Sequence, residues 1–340
     1  MLKSIKKGIA LLLSSALVFA LAGCSGAAGG KRIIRISHSQ SEAHPQHLGL
    51  VEFEKYVESK LGDKYDVQIF PNELLGPSVK AIELVQTGAI DFAIASTGNL
   101  ETFDNIYQAF SIPYLFDSVD AYHKVMEDKE LMNSIYKSTA AAGFEAVTWF
   151  DAGTRNFYAK TPIKTPDDLK GKKIRVQQSP TNVKMMQAFG AAAAPMSFGE
   201  VYTAIQSGVI DGGENNELAL TNNKHGEVAK YYTYNQHQMV PDLLIGNLKL
   251  LNGLSPEERQ VFDEAAEIAT KAEREQWTVA TNEAIEQAKK DMGVQFIETD
   301  IEAFKEKVLP LHKELLSENP KLKPIYDKVQ EVNKEVKEMK

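Results

Sequence analysis

Apolar and polar positions change period in a regular order along the chain. Ile33, Ile34 and Ile36 fall in a short run, Lys31 to Ser37, that reads as a first strand. Leu50, Phe53, Val57 and Leu61 then recur at steps of three and four, the single apolar face of a helix that Gly62 ends. Tyr65 to Phe70 alternates as a second strand, and Pro71 to Pro77 is a turn. Ser78 is placed to cap a second helix, which runs to Thr87 and stops at Gly88. Ala89 to Ala95 reads as a third strand, ending in Ser96-Thr97-Gly98-Asn99. The order strand, helix, strand, helix, strand predicts a parallel sheet with right-handed crossovers.

The same order returns later. Lys173 to Val176 reads as a strand, followed by a helix around Asn182 to Phe189 that Gly190 ends; after Ala192 to Met196 comes a helix near Glu200 to Gln206, then Gly208 and a strand. Both copies carry one phrase, Gln86-Thr87-Gly88-Ala89-Ile90-Asp91 against Gln206-Ser207-Gly208-Val209-Ile210-Asp211, in which glycine closes a helix immediately before a strand. Repetition of this phrase predicts two lobes of similar topology, and gives Asp91 and Asp211 structural roles rather than paired acid-base ones. Ser255-Pro256-Glu257-Glu258 is a capping box with proline in the first turn, and no Gly or Pro follows until Gly293. A helix from Pro256 to Met292 would be about 55 Å long at 1.5 Å per residue, so it is either kinked or laid across both lobes.

At 340 residues, with 43% hydrophobic and 9% aromatic positions, the chain suits about two globular domains. The first 23 residues stand apart. Lys3, Lys6 and Lys7 precede an apolar stretch, Ile9 to Leu21, of signal-peptide length, and Leu21-Ala22-Gly23-Cys24 resembles the bacterial lipobox, whose cysteine carries the lipid. Ser25 to Gly30 then form a flexible tether. Cys24 is the only cysteine, which excludes disulfides and any cysteine nucleophile or metal ligand from the folded part. Loss of Lys3, Lys6 and Lys7 takes the formal charge from -8 to -11, an acidic balance that argues against nucleic acid as a partner.

Nucleotide-loop, zinc-protease and serine-hydrolase signatures are absent. His44, His47 and Glu42 lie close in sequence, but Pro45 interrupts a helical metal face and no further ligand is evident, so no metal or other cofactor is expected. The chemistry concentrates between Gly153 and Asn216, where Arg155, Arg175 and the pair Asn215-Asn216 fall at the ends of short strands. Strand ends are where open α/β sheets expose ligand-binding groups, and a guanidinium grips a carboxylate through two parallel hydrogen bonds.

Gly153-Thr154-Arg155, Ile174-Arg175-Val176, Pro195 to Tyr202, Asp211 to Asn215, Leu75-Gly76 and Phe110 to Phe116 together resemble the extracytoplasmic solute receptors of TRAP transporters, the DctP-type binding proteins. The resemblance spans nearly all of residues 31 to 320. It implies an α/β, two-lobed periplasmic-binding-protein-like fold with a long helix spanning both lobes, closing on an organic acid that is handed to an ion-gradient-driven membrane permease. It assigns the ligand carboxylate to Arg175, a second basic contact to Arg155, an orienting amide to Asn215, an aromatic wall to Phe198 and a hinge-side contact to His237. His38, Ser39, Ser78 and Ser96 occupy first-lobe positions that vary with substrate. Gln177 and Asn216 depart from the family pattern and join the expected site.

Neutral donors at Ser78 and Ser96, where sialic-acid receptors carry acids, favour a hydroxylated acid such as a uronate or aldonate. A C4-dicarboxylate receptor, a cell-envelope enzyme and a ligand-sensing lipoprotein are the competing readings. The expected division puts residues 31–152 and 241–280 in lobe I and 153–240 and 281–340 in lobe II, with the lipid on Cys24 holding the mature chain at the outer face of the membrane.

Overall fold

The computed structural model describes residues 30–339, so the expected signal peptide, Cys24 and nearly all of the expected tether lie outside the described residues. Two sheets form the lobes. The first runs β2 (Tyr65–Phe70), β1 (Arg32–Ser37), β3 (Phe92–Ser96), β10 (Asp242–Asn247), β4 (Phe144–Phe150), and the second β11 (Gln295–Glu298), β9 (Tyr231–Gln238), β5 (Arg155–Ala159), β8 (Gly212–Asn215), β6 (Lys173–Val176), β7 (Ala192–Pro195). Parallel trios β2-β1-β3 and β8-β6-β7 are the two sequence repeats. Each sheet also takes a strand that arrives from the other lobe. β10 lies antiparallel between β3 and β4, and β5 lies antiparallel between β8 and β9.

The repeated phrase has one structure in both lobes. Gly88 and Gly208 adopt φ of 76° and 78°, the left-handed region that glycine enters without a Cβ clash. The aspartate three residues on ties its strand to the neighbouring one: Asp91 accepts the Arg35 N–H at 2.9 Å and Asp211 the Lys173 N–H at 2.7 Å. Because the peptides after Gly88 turn back on the helix, through Ala89 N–H to the Leu84 carbonyl, the third strand starts at Phe92 rather than at Ala89.

One unbroken helix, Pro256–Met292, crosses both lobes. Phe262, Ala265, Ala266 and Ala269 on its first half enter the core of the first lobe with Leu50, Phe53 and Phe92, and Ala288 near its end enters the core of the second with Tyr158, Ile205 and Tyr232. Small residues let it lie close. A Cβ at Gly49, on the helix Pro45–Leu61, would stand 2.6 Å from the Ala269 carbonyl oxygen, so the two helix backbones touch there.

The C-terminal segment differs from the expected division. Helix Ile301–Glu318 packs on the second lobe beside Phe157 and Phe189, but Lys323–Glu338 returns to the first. There Asn333 donates to the Leu115 carbonyl at 2.9 Å and accepts the Asp117 N–H at 3.1 Å. Its Val329, Val332 and Val336 repeat at steps of three and four, a stripe that the first-lobe helix Val119–Met126 covers. The two terminal helices therefore strap the lobes together, and the core on this side is continuous from Phe110 to Phe304.

Candidate functional site

The cleft between the lobes is lined by Ser39, Ser78 and Ser96 from one side and by Arg155, Arg175, Gln177, Phe198, Asn215 and Asn216 from the other. Their placement follows from the strands. Arg175 is the third residue of β6, Asn215 ends β8 and Arg155 begins β5, so all three meet at one end of the interior strands of the second sheet.

The two arginines differ in what they touch. Arg155 is fully engaged within the protein: its guanidinium lies against the Glu214 carboxylate, with Nη2 at 3.0 Å from Oε1, and Nη1 donates to Asn215 Oδ1 at 3.1 Å. Burial would raise the Glu214 carboxyl, but Arg155 and His237 beside it hold it down to about 2. Arg175 is 4% exposed and, among the described residues, makes no ion pair. Its Nε and Nη2 both donate to the Met196 carbonyl, at 3.2 and 3.0 Å, and its Cζ lies 5.4 Å from the centre of the Phe198 ring. Burial pushes its pKa below the usual arginine value, yet a guanidinium keeps its charge at any working pH. Burial, with the Arg175 charge adding to it, takes the neighbouring His225 down to about 3, so that imidazole is neutral. A buried cation with one arm of its fork uncommitted leaves a donor and a charge available to an anion.

Around Arg175 the cleft is mainly polar, with Arg155 tied to Glu214 and Asp242 the one carboxyl among the lining residues. Asn215 Oδ1 is taken by Arg155 and by the Asn216 N–H, which leaves the Asn215 amide nitrogen without a protein partner among the described residues. Asn216 is largely committed to structure, its amide donating to the Ala152 carbonyl at 2.8 Å and its Oδ1 accepting the Leu218 N–H at 3.0 Å. Gln177 donates to Ser96 Oγ across the cleft at 2.9 Å, and the Gly199 N–H reaches Glu73 of the first lobe at 3.2 Å. The lobes are thus closed on each other.

Three expectations are corrected. His38 does not face the cleft: its Nε2 is 3.0 Å from His47 Nδ1, its Nδ1 accepts the Gln40 N–H, and burial with the two nearby histidines takes its pKa down to about 3. His237 is also withdrawn, stacked on Phe157 at 4.8 Å with Nε2 3.4 Å from the Glu214 carboxylate, so it supports the Arg155–Glu214 pair from behind. Ser78 faces the cleft without capping its helix, because the helix already starts at Ser78 and Pro77 holds the cap position.

The cleft also takes in Gln40, Gln46, Asn99 and Asp242, which the sequence reading passed over. Gln40 was within reach of pattern reasoning, since it lies in the polar run leaving β1. Asp242 follows Pro241 as the first residue of β10, where the second crossing between the lobes ends.

The family model for bacterial extracellular solute-binding proteins, family 7 (DctP), matches residues 36–319. The protein YiiZ of Salmonella typhimurium is 40% identical over 302 residues, 88% of this chain and 92% of its own length. The C4-dicarboxylate-binding periplasmic protein DctP of Rhodobacter capsulatus is 31% identical over 83% of this chain and 86% of its own. Among solved structures, a TRAP periplasmic solute-binding protein from Anaerococcus prevotii with bound D-glucuronate is 55% identical, with a TM-score of 0.88 over 90% of this chain and 99% of that one. Another from a Sulfitobacter species, with bound β-D-galacturonate, is 32% identical with a TM-score of 0.85, covering 88% of this chain and 100% of that one. With its two α/β lobes, its crossing helix and the cleft between them, and with the family model matching residues 36–319, the chain belongs to the family 7 bacterial extracellular solute-binding proteins.

Proposed function

We propose that the chain is the substrate receptor of a TRAP transporter, closing its lobes on a hexuronate such as glucuronate or galacturonate and passing it to an ion-gradient-driven permease without chemical turnover. The observation that carries this is Arg175, a buried cation that makes no ion pair among the described residues, in a cleft whose other lining is mainly neutral donors and acceptors, with Arg155 held by Glu214 and Asp242 the one acid among the lining residues. Charge also weighs against a C4-dicarboxylate. A second carboxylate needs a second free cation, and Arg155 is already neutralised by Glu214. Serine, glutamine and asparagine side chains instead match the ring hydroxyls of a sugar acid. The uronates in the Anaerococcus and Sulfitobacter proteins support the same choice.

A thermal-shift screen tests this reading. Ligand at one hundred times its dissociation constant adds about 2.7 kcal/mol to the folded state, a rise of several degrees. Glucuronate or galacturonate is expected to give that rise and succinate or malate little; a shift with the dicarboxylates alone would reverse the assignment.

The mature chain is further proposed to be held by lipid at Cys24, on the extracytoplasmic face of the membrane. Support comes from the lipobox-like Leu21-Ala22-Gly23-Cys24 after the apolar segment. Cys24→Ser is expected to move the protein from the membrane pellet to the soluble fraction, and a variant that stays with the membrane would remove the anchor from Cys24.

A further inference from the structure

Three of the passages between the lobes each bring a carboxyl group into one buried cluster. Asp151 lies in the first crossing, directly after β4; Asp242 opens β10, directly after the second; Glu273 sits midway along the crossing helix. Gln46 ties the two crossings, its Nε2 donating to Asp242 Oδ2 at 2.7 Å and to the Asp151 carbonyl at 3.1 Å. Glu273, fully buried, accepts the Asp151 N–H at 3.2 Å. Its other oxygen, Gln46 Oε1 and the Tyr122 hydroxyl are buried and have no partner among the described residues.

The cations around this cluster are engaged elsewhere. Arg155 faces Asp242 but is held by Glu214, and Arg274 beside Glu273 pairs with Glu127. His123 is 2.6 Å from Asp151 at the rim, His44 on the helix that carries Gln46 is kept neutral by burial, and Tyr122 keeps its proton for the same reason. Burial, with Asp151 and Asp242 adding to the effect, pushes the Glu273 carboxyl well above its usual range. Of the acids whose pKa is raised here, Asp242 is the one that both lines the ligand cleft and titrates close to neutrality. Burial lifts it to about 6 against the pull of Gln46, Arg155 and Ser96.

We propose that capture of the anionic ligand takes up a proton from solvent at Asp242, so that this side chain stands in the loaded cleft as a neutral carboxylic acid able to donate a hydrogen bond to the ligand. The inference rests on the carboxylate ligand assigned above. In the empty protein at pH 7, Asp242 is mostly ionised. A bound carboxylate sharing the cleft adds a like charge, which favours the protonated form. Binding therefore tightens as pH falls from 8 towards 6, by at most tenfold per pH unit for one proton, and levels off below 6, where the empty protein already holds it. The ligand's own carboxyl, with a pKa near that of an α-carboxyl, about 3.5, stays ionised throughout.

Titration calorimetry with D-glucuronate, run at each pH in two buffers of different ionisation enthalpy, counts the protons directly. Expected are uptake of part of a proton at pH 7, loss of both the uptake and the pH dependence in Asp242→Asn, and their persistence in Glu273→Gln. Normal glucuronate binding without uptake would overturn proton-linked capture while leaving the receptor function intact. Uptake that survives in Asp242→Asn but vanishes in Glu273→Gln would overturn the assignment to Asp242. Failure of every organic acid to bind would take down the carboxylate-receptor reading and this inference with it.

Discussion

Arg175→Ala is expected to weaken binding of the captured acid by roughly 30-fold to several thousand-fold. Removing one partner of a buried, hydrogen-bonded charge pair costs about 2 to 5 kcal/mol, and each tenfold in affinity corresponds to about 1.4 kcal/mol. The loss falls on the complex alone. In the empty protein Arg175 has no ion pair to break and gives up only its contacts with the Met196 carbonyl and the Phe198 ring, so the melting temperature of the ligand-free variant is expected to hold or rise. Arg175→Lys separates charge from shape, because it keeps the cation but cannot form two parallel bonds or lie flat beside Phe198. Calorimetry on both variants reads the result. A folded Ala variant that binds at full affinity would remove Arg175 from the site, and a Lys variant that does so would show that charge alone suffices.

Much of this site was legible because strand ends can be read from sequence. Short β-branched runs placed Arg175 in β6, and the Gly-Asp phrase exposed the pairing of the two lobes, so topology brought the arginines and Asn215 to one end of the second sheet's strands without knowledge of any contact. Side-chain direction was not legible in the same way. His38 follows a strand just as Ser39 does, yet it turns inward because His47, on the next helix, offers its ring nitrogen at 3.0 Å. His237 sits at a buried position of β9, where Phe157 and Glu214 decide what it touches. The long helix was predictable from its caps and the lack of breakers, whereas the return of Lys323–Glu338 to the first lobe depends on which surface the Val329, Val332 and Val336 stripe finds uncovered. Glu214 lies within the stretch from Gly153 to Asn216 but is not among the expected site residues. Its decisive part, neutralising Arg155, appears once the antiparallel pairing of β5 with β8 sets Phe157 opposite Glu214 and Asn156 opposite Asn215.

Replacement of Glu214 is expected to have the largest effect on the fold of any single change in the site. Glu214 and Arg155 are 0% and 3% exposed, and removing one member of a buried pair leaves the other charge without compensation, at about 3 to 5 kcal/mol. Glu214→Ala should therefore lower the denaturation midpoint strongly with little change in the denaturant slope, and an unchanged midpoint would show that Arg155 finds solvent or another partner. Glu214→Gln asks the functional question, since it keeps the side chain's size and one acceptor while releasing the charge of Arg155 into the cleft. If Arg155 is silent in the native protein because Glu214 cancels it, the Gln variant presents two cations, and the ratio of glucuronate to succinate affinity should fall. A stable Gln variant with an unaltered ratio would mean that the cleft rejects dicarboxylates by shape, and that the neutralised second arginine has no part in the choice.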